Sequence, residues 1–174
     1  VARPADRPAA GRHRAGETMC RGRATENASW AAIDHAVVVG CGRLGSLIAG
    51  RLSAAGIEVV VVDRDPSAFR RLPPTFSGFT LAGDAVEAAT LRETDLAGCQ
   101  LVVAATESDD VNLMVAQVAR RIFQVETVIA RVYDPDREPL YRRLGIDTVS
   151  PTRLTAEAVE AVHLAHQNRR REAR

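Results

Sequence analysis

Residues 36–45 read Ala36-Val37-Val38-Val39-Gly40-Cys41-Gly42-Arg43-Leu44-Gly45, a short apolar run that breaks into G-x-G-x-x-G. The hexad alone is weak evidence, and its context makes it specific. It opens a stretch in which Leu44, Leu47, Ile48, Leu52 and Ala55 recur at helical spacing, closed by Gly56. An acid, Asp63, follows 18 residues after Gly45, at the end of the next apolar run. Gly40 permits a tight strand-to-helix turn, Gly42 lets backbone approach an anion, and Gly45 lets the helix pack on a sheet. The helix N-terminus presents free N–H groups and a positive dipole end, and Arg43 adds a permanent charge. Asp63 is placed to accept from both ribose hydroxyls of a nucleotide and to repel a 2′-phosphate. That favours NAD(H), or an adenosine di- or triphosphate, over NADP(H). Arg64, the next residue, can stack on adenine or meet a 2′-phosphate, and Asp63 is given the greater weight.

Outward from this turn the apolar runs continue. Ile57–Val62 holds five β-branched residues, followed by Leu101–Ala105 and Thr127–Ala130, with shorter strands at Phe79–Leu81 and Asp147–Val149. Runs that are apolar on both faces suit a parallel sheet covered by helices. Helical spacing recurs at Val111, Val115, Val118, Ala119 and Ile122, and Leu91 sits in a shorter helix that Asp84 is placed to cap with Glu87 three residues on. Asp65-Pro66, Asp134-Pro135 and Ser150-Pro151 share one start signal, a capping oxygen followed by proline at the first helical position. The alternation predicts a Rossmann-like, doubly wound α/β fold: a parallel sheet of about six strands with right-handed crossovers and a C-terminal crossover helix. The expected organisation is a disordered leader over 1–30, a nucleotide-binding lobe over 34–150, a crossover and dimerisation helix over 151–168, and a basic tail over 169–174.

Composition narrows the chemistry. The chain has 174 residues, with 23 basic and 22 acidic side chains and a net charge of +1, which gives no basis for a nucleic-acid surface. Every basic residue is arginine, which removes Schiff-base lysines, the P-loop lysine and the Tyr-Lys pair of many small oxidoreductases. Cys20, Cys41 and Cys99 are odd in number and widely spaced, so neither a zinc site nor a disulfide framework is supported, and a reduced cytoplasmic setting is expected. Cys41, at a helix N-terminus, is weighed as a redox sensor and as a simple small residue. No apolar run approaches the ~18 residues of a membrane span, so an association with membrane has to run through a partner.

A catalytic constellation is not found. The sheet takes up nearly the whole chain and leaves no room for a substrate domain. His35 falls on the strands' N-terminal edge, away from the crevice. His163 and His166 could form a metal face with Glu160, or simply a solvated helical surface. The reading is a protein that binds a nucleotide without transforming it; the alternative is a small NAD-dependent oxidoreductase or its cofactor-binding fragment.

The hexad, then Val60-Val61-Val62-Asp63-Arg64-Asp65, resembles the N-terminal domain of the TrkA/KtrA family, the regulator-of-potassium-conductance (RCK) proteins. Further blocks match in order: Ala82-Gly83-Asp84-Ala85, Ala104 through Asn112, Ile129-Ala130-Arg131-Val132, and Leu144 through Pro151. The resemblance covers about residues 34 to 166 and implies a cytoplasmic regulatory subunit that binds NAD(H), ATP or ADP. It implies a homodimer or a higher ring at the inner face of the membrane, acting on a membrane-embedded potassium channel or transporter subunit. Carried over by position, Gly40, Gly42, Arg43, Leu44 and Gly45 hold phosphate, and Asp63 holds ribose with Arg64 beside it. Asp84 and Ala85 flank adenine, and Thr106 and Arg131 face the ligand from the next strands. The family's usual second lobe is not in this sequence, so it is absent or supplied by a second RCK-type protein. Leu154, Ala158, Ala161, Val162 and Ala165 form an apolar stripe expected to pack on a second copy or a partner.

Overall fold

In the computed structural model, which describes Trp30 and residues 32–172, the apolar runs become six parallel strands. They are β1 (His35–Val39), β2 (Glu58–Asp63), β3 (Phe79–Ala82), β4 (Leu101–Ala104), β5 (Thr127–Arg131) and β6 (Asp147–Val149). Their order, β3-β2-β1-β4-β5-β6, is that of a Rossmann sheet. In register, Val39 faces Val62 on one side and Ala104 on the other, so β1, β2 and β4 end at one level. The order reverses between β1 and β4, which is where such sheets open a crevice. The expected leader, apart from Trp30, and Cys20 lie outside the described residues.

Among the described residues four α-helices lie between strands, α1 (Arg43–Ala54), α2 (Ala88–Arg92), α3 (Asp109–Arg121) and α4 (Glu138–Arg143), and a fifth, α5 (Pro151–Glu172), follows β6. Val37, Val39, Val62, Val102, Ala104, Val128 and Ala130 form one face of the sheet. Leu91, Val115, Ala119 and Tyr141 bury that face from α2, α3 and α4. The helix α1 covers β1 and β2 from the opposite side. It ends where Gly56, at φ +85°, donates to Ser53 O while Ile57 donates to Leu52 O, so a left-handed glycine satisfies the last carbonyls. Asp65 and Asp134 accept from the backbone two residues on, as their Asp-Pro pairs predict, although the turns they start are 3-10 rather than α.

Three local expectations are corrected. The buried face of α1 is Gly45, Ser46, Ala49, Leu52 and Ser53, while Leu47 of the expected stripe is 54% exposed. The helix lies so close to the sheet that only small side chains fit beneath its first two turns. Asp84 does not cap α2: its carboxylate takes Val86 N in a local turn, and Glu87 is extended, which interrupts the helical path before Ala88. The last helix does not stop at 168, since Arg169 and Arg170 continue it; arginine is a good helix former and no Gly or Pro intervenes. Beyond Pro151, α5 is exposed through residue 170, and it is anchored at its root. There Ser150 takes Arg153 N and Thr152 donates to Tyr133 O, while Arg153 grips the buried Glu138 through Nε and Nη2 at 3.0 and 3.2 Å.

Candidate functional site: a crevice at the strands' carboxyl ends

The β1–α1 turn is built by its glycines, each for a different reason. Gly40 has φ +98°, and a Cβ there would lie 2.7 Å from Thr106 N and 2.8 Å from Ala105 C. The glycine loop and the β4–α3 loop therefore touch, backbone to backbone, across the switch point. A Cβ on Gly45 would sit 1.8 Å from Gly40 O, so α1 can start only with a glycine here. A Cβ on Gly42 would meet nothing within 4 Å, which leaves an open approach to the backbone of the loop. Gly42 is also the N-cap of α1 and supplies no side-chain bond, and the first intrahelical bond of the helix is Ser46 N to Gly42 O. The first N–H groups of any helix lack intrahelical acceptors, so those of Arg43, Leu44 and Gly45 are available to an anion.

Asp63 stands at the end of β2, half-buried, and braces the loop: its Oδ2 accepts from Cys41 N at 2.6 Å and its Oδ1 from Asp65 N at 2.9 Å. An ionised carboxylate offers about four acceptor positions, so about two remain, which matches the two hydroxyls of a ribose. Gly83 N donates to Asp63 O, tying the end of β3 to the same rim. Asp84 is half-buried and Ala85 is buried beside it, while Arg43 and Arg64 are exposed. Across the switch point Thr106 and Arg131 are half-buried at the ends of β4 and β5, with the Arg131 guanidinium 5.8 Å from the Tyr133 ring centre. The fold thus brings the candidate nucleotide-binding residues, at 40–45, 63, 64, 84, 85, 106 and 131, to the carboxyl edge of the sheet. A groove of about 440 Å³ lined by His35, Glu58 and Phe79, the first residues of their strands, lies at the opposite edge.

Cys41 is fully buried, and burial, followed by the neighbouring Asp63 charge, pushes its thiol up. That reverses the effect a helix N-terminus would have on it and removes support for a redox role. Among the described residues no group of three or more His, Cys, Asp or Glu side chains could hold a metal, and His163 pairs instead with Gln167.

The sequence model of the TrkA-N domain family matches residues 36–151 of the chain. The chain belongs to the TrkA-N domain family. Over 123 residues it is 45% identical to the Trk system potassium uptake protein TrkA of Streptomyces coelicolor, a match that covers 71% of this chain and 55% of that one. The chain spans about half the length of this relative. Among solved structures, the TrkA-N domain of the inner membrane protein ybaL of Escherichia coli superposes with a TM-score of 0.67 at 21% identity. That match covers 76% of this chain and 98% of the other. GsuK bound to ADP superposes with a TM-score of 0.65 at 21% identity, covering 80% of this chain and 36% of that one. The GsuK channel bound to NAD gives 0.57 at 21% identity, covering 70% and 22%. At these identities the structures establish the fold.

One residue of this TrkA-N domain's crevice escaped the site reading. Asn112, on α3, is fully buried, and both its side-chain polar atoms are used. Its Oδ1 accepts from Thr106 N and Oγ1 at 2.9 and 2.7 Å, and its Nδ2 donates to Thr106 O and Arg131 O at 3.1 and 3.0 Å. A signal was present, because Asn112 falls at helical spacing with Val115, Ala116 and Ala119, a polar residue on an apolar stripe.

Proposed function

We propose that this chain is the nucleotide-sensing regulatory domain of a potassium uptake system, taking NAD(H) or an adenosine di- or triphosphate in the crevice. The observation that carries the reading is the open approach over Gly42, beside an uncapped helix N-terminus and a ribose-ready Asp63. ADP and NAD, named in the GsuK structures, share an adenosine diphosphate, and this edge offers complementary groups for each part of it. The backbone N–H groups of residues 43–45 take the diphosphate, with Gly40, Gly42 and Gly45 making room and Arg43 adding charge. Asp63 takes the ribose, Arg64 lies beside it, and Asp84 and Ala85 flank the adenine. Thr106 and Arg131 face the remainder of the ligand.

We read the domain as a binding module rather than an enzyme. Its Streptomyces relative carries the name of a potassium uptake protein, and the groups assigned to the crevice are ones that hold a nucleotide. A membrane-embedded potassium channel or transporter subunit is the partner in this reading. Among the described residues no helix is long and apolar enough to cross a membrane, so the domain would reach the cytoplasmic face through that partner. The exposed α5, whose apolar stripe of Leu154, Ala158, Ala161, Val162 and Ala165 includes Leu154 and Val162 at 49% and 60% exposed, is the proposed surface for a homodimer. Larger rings of such dimers, or a second RCK-type protein, extend the same assembly.

A thermal-shift series with NAD⁺, NADH, NADPH, ATP and ADP tests the ligand. At about 100 times Kd a ligand stabilises the folded state by about 2.7 kcal/mol. The reading expects stabilisation by NAD(H) or ADP/ATP and little by NADPH. Stabilisation by none of the five overturns it. Sustained absorbance change at 340 nm with NAD⁺ and an alcohol panel would favour the oxidoreductase instead.

A further inference from the structure

We propose that Asn112 is a positioning residue that locks the β4–α3 loop to the end of β5. Occupancy of the crevice then passes, through Tyr133 and Thr152, to the root of α5. This rests on the nucleotide-binding reading above and adds to it how binding is reported outside the crevice.

The path is a chain of backbone contact, hydrogen bonds and one guanidinium–ring contact. Gly40 and Thr106 are in backbone contact, with no room for a Cβ between them, so a ligand that shifts the glycine loop shifts Thr106. The N–H and hydroxyl of Thr106 both end on Asn112 Oδ1, and its carbonyl takes Asn112 Nδ2. The same Nδ2 holds Arg131 O, so the ends of β4 and β5 move as one unit. These partners fix the amide's orientation, since two donors face the oxygen and two carbonyls face the nitrogen.

From Arg131 the connection leaves the crevice. The guanidinium of Arg131 lies over the Tyr133 ring. Asp109, at the start of α3, clamps that segment by accepting from Tyr133 N at 2.7 Å and Asp134 N at 3.1 Å. Tyr133 O in turn accepts from Thr152 Oγ1 at 3.1 Å, in the first turn of α5. Thus α3 grips both sides of the β5 end, through Asn112 on Arg131 and through Asp109 on Tyr133, and the segment it grips holds the root of α5. A ligand biases this unit only through different affinities for two arrangements of it.

The test uses the full chain, calorimetry with ADP and NAD⁺, and hydrogen exchange of the amides of residues 152–157 with and without nucleotide. In the wild type, nucleotide is expected to change exchange at the α5 root by about fivefold or more, the low end of allosteric couplings. Thr152→Val, at an exposed position outside the crevice, is expected to bind nucleotide within about twofold of wild type and to lose that response. Asn112→Ser is expected to bind about tenfold more weakly and to lose it as well. If Asn112→Ser fails to fold, Thr152→Val decides alone. A full response in Thr152→Val overturns the proposal, as does wild-type binding without any change at the α5 root. No calorimetric binding by the wild type overturns the nucleotide reading itself, and this inference with it.

Discussion

Gly42→Ala should separate binding from folding in a single methyl group. Gly42 has φ −75° and ψ −166°, an extended conformation open to alanine, and the added Cβ would meet nothing within 4 Å. Two small effects on stability oppose each other. Alanine restricts the unfolded chain, which stabilises by about 0.4–1 kcal/mol, and it is a poorer N-cap than glycine, which costs a similar amount. The net change in unfolding free energy should fall within about 0.5 kcal/mol of zero. Binding is another matter, because the open space above Gly42 is where the diphosphate has to approach the backbone. A methyl there holds the anion off the helix N-terminus and weakens about two charge-assisted hydrogen bonds, each worth about 1.5–3 kcal/mol. A loss of about 3 kcal/mol is expected, roughly two decades in Kd. Denaturant unfolding measures the first quantity, and calorimetric titration with ADP the second. A folded Gly42→Ala protein that binds ADP within about threefold of wild type would refute the placement of the phosphate at this loop.

Three other perturbations follow from neighbouring geometry. Gly45→Ala should behave oppositely to Gly42→Ala: its Cβ would lie 1.8 Å from Gly40 O, so α1 has to move, and denaturant unfolding should show a loss of about 1–3 kcal/mol or more. Burial, followed by the Asp109 charge, pushes the Tyr141 hydroxyl up to about 12. Its folded-state value is thus raised, so its contribution is present in full below about pH 10 and is lost as pH rises from 10 toward 12. Unfolding free energies should fall across that window by on the order of 2 kcal/mol more in wild type than in Tyr141→Phe, and parallel profiles would contradict this. A double Leu154→Asp, Val162→Asp variant should shift the protein from dimer to monomer in sedimentation while the lobe's thermal transition stays within a few degrees; both side chains are about half exposed or more, at 49% and 60%.

Much of this architecture was legible because local and tertiary demands agree. Gly40, Gly42 and Gly45 meet three separate requirements of one turn, and their spacing from Asp63 is set by one helix and one strand. The apolar runs of β1 and β4, at the centre of the sheet, are buried almost throughout, so they carry no alternation that could be misread; β2 and β5, on either side, keep half-buried positions. What escaped was set by distances between elements. The apolar spacing of Leu44, Leu47 and Ile48 suggested a buried stripe, but α1 packs so closely at Gly45, where an added Cβ would lie 1.8 Å from Gly40 O, that small residues face inward and Leu47 lies at the surface. Asp84 carried a capping signal, but Glu87 breaks the helical path and leaves Asp84 with a local turn bond. In the sequence Asn112 marks only the end of a block resembling the family, with no site role; that role depends on Thr106 and Arg131, which come from two other segments and meet it only in the folded sheet.

The central claim, that the carboxyl edge of this sheet holds an adenine nucleotide, is tested most directly by titrating the wild-type chain with ADP and with NAD⁺ in a calorimeter. The account predicts saturable binding of one nucleotide per chain, abolished or weakened at least tenfold by Asp63→Ala, which removes the ribose acceptor and the brace on Cys41 N. Heats indistinguishable from dilution for both ligands, from a protein that still unfolds cooperatively, would contradict it.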